Sequence, residues 1–176
     1  NNVVFSKKLI LVTVHRRENI GQNLAQICNA IFDTARQNPD VEFVWPMHPN
    51  PAVRSHIVEK LSNSSNIHLI EPFDYREMVK FMRLAFIILT DSGGIQEEAP
   101  SFHKPLLVLR ETTERPEGID AGTAILVGTD QRQIFEQLNK YLLNEKLQQY
   151  LNEIRNPYGD GTAGKFIAEK IEEHFN

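Results

Sequence analysis

Two glycines behind a serine, Ser92-Gly93-Gly94, followed by Ile95-Gln96-Glu97-Glu98, are the residues of this sequence best suited to hold a phosphate. Placed directly after an apolar run, such a turn opens a helix and leaves main-chain N–H groups unpartnered at its positive end. Glycine removes the Cβ atoms that would keep an anion from those groups, and the Ser92 hydroxyl adds a donor. Glu98, about a turn further on, offers a carboxylate that can accept hydrogen bonds from both hydroxyls of a ribose. The plain alternative is a tight βα turn with Ser92 as its cap. The spacing of Glu98, with Pro100 soon ending the helix, favours the ligand reading.

His15-Arg16-Arg17-Glu18-Asn19 also follows a short apolar run. Its cations would draw an anion, since an arginine can grip phosphate through a pair of bonds; otherwise it is a solvated basic loop pairing with nearby acids. His48-Pro49-Asn50-Pro51 is the weaker signal, because a histidine before proline is more often only a strand terminus. Arg110-Glu111-Thr112-Thr113-Glu114-Arg115-Pro116-Glu117 is unusually polar for a strand exit. It is either a loop laced by its own ion pairs or a cluster that meets a charged ligand. Tyr158-Gly159-Asp160-Gly161 completes the set. Cys28 and Trp45 read as packing residues, and His56, His68, His103 and His174 have no metal-ligand spacing, so no metal site is expected.

The elements that must position these clusters are legible in the hydrophobic pattern. Short runs rich in Val, Ile and Leu, apolar at almost every position, predict strands at 8–14, 42–47, 67–70, 85–90, 105–109 and 124–127, buried on both faces. Helical periods lie between them, at 22–37, 51–62, 74–84 and 95–102, with further helices near 130–143, 145–154 and 162–175. Leu24, Ile27, Ile31 and Ala35 give the first helix an apolar stripe. Asn38-Pro39-Asp40 ends that helix, Pro51 suits a first turn, and Asp74 with Glu77 forms a capping signature; Asp130 is placed to cap a later helix. The expected fold is a single α/β, Rossmann-like parallel sheet of about six strands flanked by helices. Ligands of such sheets bind beyond the carboxyl ends of the strands, and four of the five polar clusters fall on that edge.

Composition narrows the partners. A net charge of −4 leaves no broad basic field for a nucleic acid, although a few converging arginines suffice for one diphosphate. One cysteine allows no internal disulfide and fits a reducing, cytoplasmic setting. No run approaches the ~20 apolar residues of a membrane span. The chain begins Asn1-Asn2, which we read as the start of a piece of a longer protein.

Taken in order, the five clusters resemble the C-terminal domain of the non-hydrolysing UDP-N-acetylglucosamine 2-epimerases. The resemblance rests on Val14–Asn19, His48–Pro51, Thr90–Glu98, Arg110–Glu117 and Asn156–Gly161, and it spans nearly the whole chain. It implies that residues 1–176 form the UDP-sugar-binding, C-terminal half of a glycosyltransferase-B-like architecture, with the N-terminal half absent. It further implies that Ser92, Gly93 and Gly94 hold the diphosphate, Glu98 the ribose, and Phe73 and Met78 the uracil, with Arg115 beside the nucleotide. His15 is the catalytic candidate. Arg16 and His48 match positions that, in bacterial relatives, help form a second, allosteric UDP-N-acetylglucosamine site.

The reaction so implied inverts C2 of the sugar, interconverting UDP-N-acetylglucosamine and UDP-N-acetylmannosamine by loss and re-addition of UDP, without a cofactor. The carboxylates that act at C2 would belong to the absent half, so the isolated chain is expected to be inactive; the full-length relatives are homodimers. The alternatives are the nucleotide-sugar-binding half of a glycosyltransferase or of a hydrolysing epimerase, and a stand-alone UDP-sugar sensor.

Overall fold

The computed structural model describes residues 7–144, 146 and 150–175. Its centre is a sheet of six parallel strands, β1 (Lys8–Thr13), β2 (Val41–Pro46), β3 (Ile67–Ile70), β4 (Ile87–Thr90), β5 (Leu106–Val108) and β6 (Ala124–Leu126), in the order β3-β2-β1-β4-β5-β6. The strand order reverses between β1 and β4, where Thr13 lies level with Thr90. That makes the β1–β4 edge the switch point of a doubly wound sheet, the place where a crevice opens beyond the strand ends.

Alternate strand residues explain the two-sided burial. Ile10, Val12, Phe43, Trp45, Ile87, Leu89 and Leu107 face one side, against α1 (Gln22–Gln37), α2 (Pro51–Leu61) and α6 (Gln131–Leu143). Leu11, Ile88, Leu106 and Val108 face the other, against α3 (Tyr75–Leu84) and α4 (Gly93–Glu98). Cys28 and Trp45 are fully enclosed, and burial pushes the Cys28 thiol up to about 12, so it is a packing residue and not a nucleophile.

Local chemistry fixes the helix ends. Asp74 and Glu77 form a reciprocal capping box at the start of α3, and Asp130 accepts from the Gln133 N–H at 2.9 Å to start α6. Asn38 closes α1, its side chain donating to the Thr34 carbonyl at 2.9 Å.

Several boundaries differ from the sequence reading. The fourth strand begins at Ile87 and not at residue 85, because Ala85 caps α3. The fourth helix starts earlier, at Gly93, and ends as an α-helix at Glu98; Ala99–Phe102 continue as a 3-10 turn. Pro100 has no N–H with which to extend the α ladder. A short helix not anticipated, α5 (Pro116–Asp120), follows the fifth strand. Of the helix expected over 145–154, residues 145 and 147–149 lie outside the described residues; 146, 150 and 151 are helical, while 152–154 form turns and a bend, so the helix ends earlier than expected. The last helix, α7 (Ala163–Phe175), buries none of its residues, leaving Phe166, Ile167, Ile171 and Phe175 exposed. Among the described residues no helix is long and apolar enough to cross a membrane.

Candidate functional site

At the switch point the first group in place is Asp91. It follows an all-buried strand and is itself wholly shielded from solvent. Its carboxylate accepts from the backbone N–H of His15 at 3.0 Å and of Arg16 at 2.8 Å, and from the Asn19 side chain at 2.9 Å. Asn19 also donates to the Leu109 carbonyl at 3.2 Å. One buried carboxylate therefore ties the exits of β1, β4 and β5 together. Beneath it the Thr13 and Thr90 hydroxyls meet at 2.5 Å, and Thr90 accepts from the Ser92 N–H at 3.0 Å.

Above this anchor lies a cleft of about 220 Å³ lined by His15, His48, Phe73, Met78, Ser92 and Ile95 among others. The imidazoles of His15 and His48 stack, their centres 6.0 Å apart, and His15 Nδ1 stands 3.4 Å from the Asp91 carboxylate. The His48 Nδ1 accepts from the Asn50 N–H at 3.2 Å. Phe73 stacks on Phe81 at 4.3 Å, which fixes its ring at the cleft edge. Ser92 caps α4, its hydroxyl accepting from the Ile95 N–H at 3.5 Å.

Charge gathers at the start of α4. An added Cβ on Gly93 would lie 3.3 Å from Arg16 Nη2, 3.8 Å from Arg115 Nη2 and 3.1 Å from Glu114 Oε1. Two guanidinium groups from different strand exits therefore converge on one glycine. Gly94 faces solvent, and a Cβ added there would meet nothing nearer than the Ser92 hydroxyl, at 3.9 Å. A side chain at 93 would push on the tips of Glu114 and Arg16, whereas Gly94 leaves open space for an approaching group.

The ion pairs here join clusters that are far apart in sequence. Glu114 pairs with Arg16 at 2.9 Å and with Arg110; Arg110 also reaches Glu18 at 2.7 Å; Arg115 pairs with Glu97. A bond from its own backbone N–H and the nearby Arg110 and Arg16 hold the Glu114 carboxyl below the usual range, against the opposing effect of partial burial. The 110–117 segment is in fact laced by ion pairs, and those pairs cross to neighbouring elements. Glu98 stands at the far end of α4 from Gly93, about 7 Å along the axis at the usual helical rise. Its charge raises the phenol of Tyr75, at the start of α3, above the ordinary tyrosine value.

His15, His48, Phe73, Met78 and Ser92 thus share one cleft; Arg16, Gly93 and Arg115 cluster at the start of α4; Glu98 stands apart from both, outside the cleft lining. Sequence reasoning missed Asp91 as the anchor, Tyr75 beside Glu98, and the phenol of Tyr158, which reaches Arg115 and Gly118. The first had a usable signal, an aspartate directly after an apolar strand that ends in Thr90. The others depend on residues distant in sequence. Among the described residues no group of three or more His, Cys, Asp or Glu is placed to hold a metal ion.

Comparison with known proteins is consistent across sequence and structure. The family model described as UDP-N-acetylglucosamine 2-epimerase matches residues 1–172. A curated relative from Escherichia coli K12, UDP-N-acetylglucosamine 2-epimerase, is 48% identical over 168 residues, covering 96% of this chain and 45% of its own length. The S. aureus MnaA–UDP co-structure superposes with a TM-score of 0.92 at 45% identity, over 97% of this chain and 47% of that one. The Neisseria meningitidis UDP-GlcNAc 2-epimerase bound to UDP-GlcNAc gives a TM-score of 0.90 at 47% identity, over 95% and 45%. The chain therefore spans less than half the length of the relatives it matches. The C-terminal domain of a Francisella tularensis group 1 glycosyl transferase shares the fold, with a TM-score of 0.68 at 18% identity.

Proposed function

The chain belongs to the UDP-N-acetylglucosamine 2-epimerase family, and from that premise we propose that it is the C-terminal, nucleotide-binding half of a non-hydrolysing enzyme interconverting UDP-N-acetylglucosamine and UDP-N-acetylmannosamine. The observation that carries the reading is the convergence of Arg16 and Arg115 on Gly93, next to the open space at Gly94. Two guanidiniums beside a side-chain-free turn suit a diphosphate, which each can grip through paired bonds. In this reading Ser92, Gly93 and Gly94 hold the phosphates, the Glu98 carboxylate accepts from the ribose hydroxyls, and Phe73 and Met78 flank the uracil. The likeness to a glycosyl transferase concerns the fold and brings no rival activity.

The chemistry divides between two halves. A base removes the C2 proton, the C1–O bond to UDP breaks, and a C1–C2 double bond forms; the proton then returns to the opposite face of C2 as UDP re-adds at C1. Departure of UDP leaves negative charge on the diphosphate, and the arginines of this chain stabilise it. His15, at the cleft wall, meets the leaving phosphate and the sugar. The carboxylates that act at C2 come from the half not present in this chain. Arg16 and His48 contribute to a second UDP-N-acetylglucosamine site adjoining the first, through which substrate favours cleft closure. A cytoplasmic homodimer that serves polysaccharide biosynthesis completes the reading.

Calorimetric titration of the chain with UDP, alongside Glu98→Ala, tests it. Saturable binding weakened by about 1–3 kcal/mol in the variant is expected, the scale of a lost charge-assisted hydrogen bond. Equal affinity in the two proteins would remove Glu98 from the nucleotide site.

A further inference from the structure

The helix α5 begins in an unusual way. Its N-cap position is Arg115, a residue whose side chain makes no capping bond. A short helix with no serine, threonine or aspartate at that position leaves its first N–H groups without partners. Pro116 removes one of them, having no N–H. The Gly118 N–H is met instead from 40 residues away, donating to the Tyr158 hydroxyl at 3.0 Å. The same hydroxyl donates to the Arg115 carbonyl at 3.3 Å. Burial raises the Tyr158 phenol above its ordinary value, so it keeps its proton, and its donor role, at neutral pH.

Position 118 is shaped for this contact. A Cβ on Gly118 would come within 2.8 Å of the phenol oxygen, a distance at which something must shift. The loop bearing Tyr158 is in turn fastened to the far end of α4 and the turn after it. Asn156 donates to the Ser101 hydroxyl at 2.8 Å and to the Glu97 carbonyl at 3.4 Å, while accepting from the Tyr158 N–H at 2.9 Å. Arg115 is also held from its other side. Its N–H donates to the Thr113 hydroxyl at 3.0 Å, which donates to the buried Gln96 of α4 at 2.6 Å.

We propose that Tyr158 is a positioning residue for Arg115, capping α5 from a distance so that the residue at the cap is free to be an arginine whose guanidinium serves the ligand. The ordinary solution, a small polar cap at 115, would satisfy α5 locally and leave no cation there. This chain separates the two tasks, with Tyr158 satisfying the helix and Arg115 left to pair with Glu97 and stand beside Gly93. The role for the nucleotide rests on the UDP reading above; the control of Arg115 by Tyr158 does not.

The test uses the ¹⁵N-labelled chain, Tyr158→Phe, which removes only the hydroxyl, and Gly118→Ala, which keeps the hydroxyl but displaces it. Alanine is otherwise favourable in a helix, so the second variant is expected to fold even if the first does not. Both should move the Arg115 Nε–H resonance away from its Glu97-paired position. UDP affinity should fall about three- to tenfold, the range of one neutral hydrogen bond. In an Arg115→Ala background Tyr158→Phe should cost no further affinity. An unmoved Arg115 resonance in both variants overturns the proposal, as does an equal affinity loss with and without Arg115. If UDP fails to bind the parent chain, the nucleotide reading falls, and the Arg115 resonance still decides what Tyr158 does.

Discussion

A carboxylate taken wholly out of water loses several kcal/mol of solvation unless nearby donors replace it, and Asp91 shows what such a group achieves once satisfied. With N–H donors from His15, Arg16 and Asn19, it fixes the start of the basic loop in one conformation. Arg16 then projects to Glu114 and Gly93 from a defined origin. Its own pair with Glu114 is partly exposed and worth about 0–1 kcal/mol, so on our reading its value lies in ligand binding. Arg16→Ala in the full-length enzyme is accordingly expected to leave thermal stability nearly unchanged while abolishing activation by substrate. Velocity against UDP-N-acetylglucosamine concentration reads this directly, and a sigmoid curve that survives the substitution would remove Arg16 from the second site. Because Arg16 also stands beside Gly93 in the proposed phosphate site, a weaker UDP interaction is an expected companion effect.

At the scale of elements, the helices differ sharply in what they contribute. Helix α1 buries Leu24, Ile27, Ile31 and Ala35 against the sheet, as its periodicity requires. Helix α7 has a comparable apolar stripe and buries none of it. Ile31, 0% exposed, and Ile171, 53% exposed, make a direct comparison. Ile31→Ala should destabilise the chain by about 2–5 kcal/mol through lost burial and a cavity. Ile171→Ser should change stability by no more than about 0.5 kcal/mol. Denaturant unfolding of the two variants measures both, and a large loss at Ile171 would mean that α7 packs on the domain after all. Most helix starts were legible because Asp74, Asp130 and Pro51 act within their own turn. Helix α5 was not, since the acceptor for its Gly118 N–H comes from Tyr158.

For the whole molecule, strand order decides where chemistry can occur. With β1 and β4 adjacent, the basic loop, the glycine turn and the His48 turn surround one crevice. The chain spans about 45% of its E. coli relative, and on our reading the carboxylates that act at C2 lie elsewhere. Incubated alone with UDP-N-acetylglucosamine, it should therefore form no detectable UDP-N-acetylmannosamine; joined to the remaining half, it should. Product formation followed by NMR distinguishes these outcomes, and turnover by the isolated chain would show that the C2 chemistry resides here.

The linear sequence determined the alternation of strands and helices, the carboxyl-edge placement of the polar clusters, and the core roles of Cys28 and Trp45. Each follows from periodicity or from chemistry within a few residues, which need no knowledge of the fold. Tertiary structure alone decided that Asp91 would bind the His15 loop, that Arg16 and Arg115 would meet at Gly93, and that Tyr158 would cap α5. These contacts join residues tens of positions apart, and local pattern carries no record of which distant partner arrives. Geometry also separated the two glycines, because only the position of the surrounding guanidiniums shows that Gly93 is enclosed while Gly94 stays open.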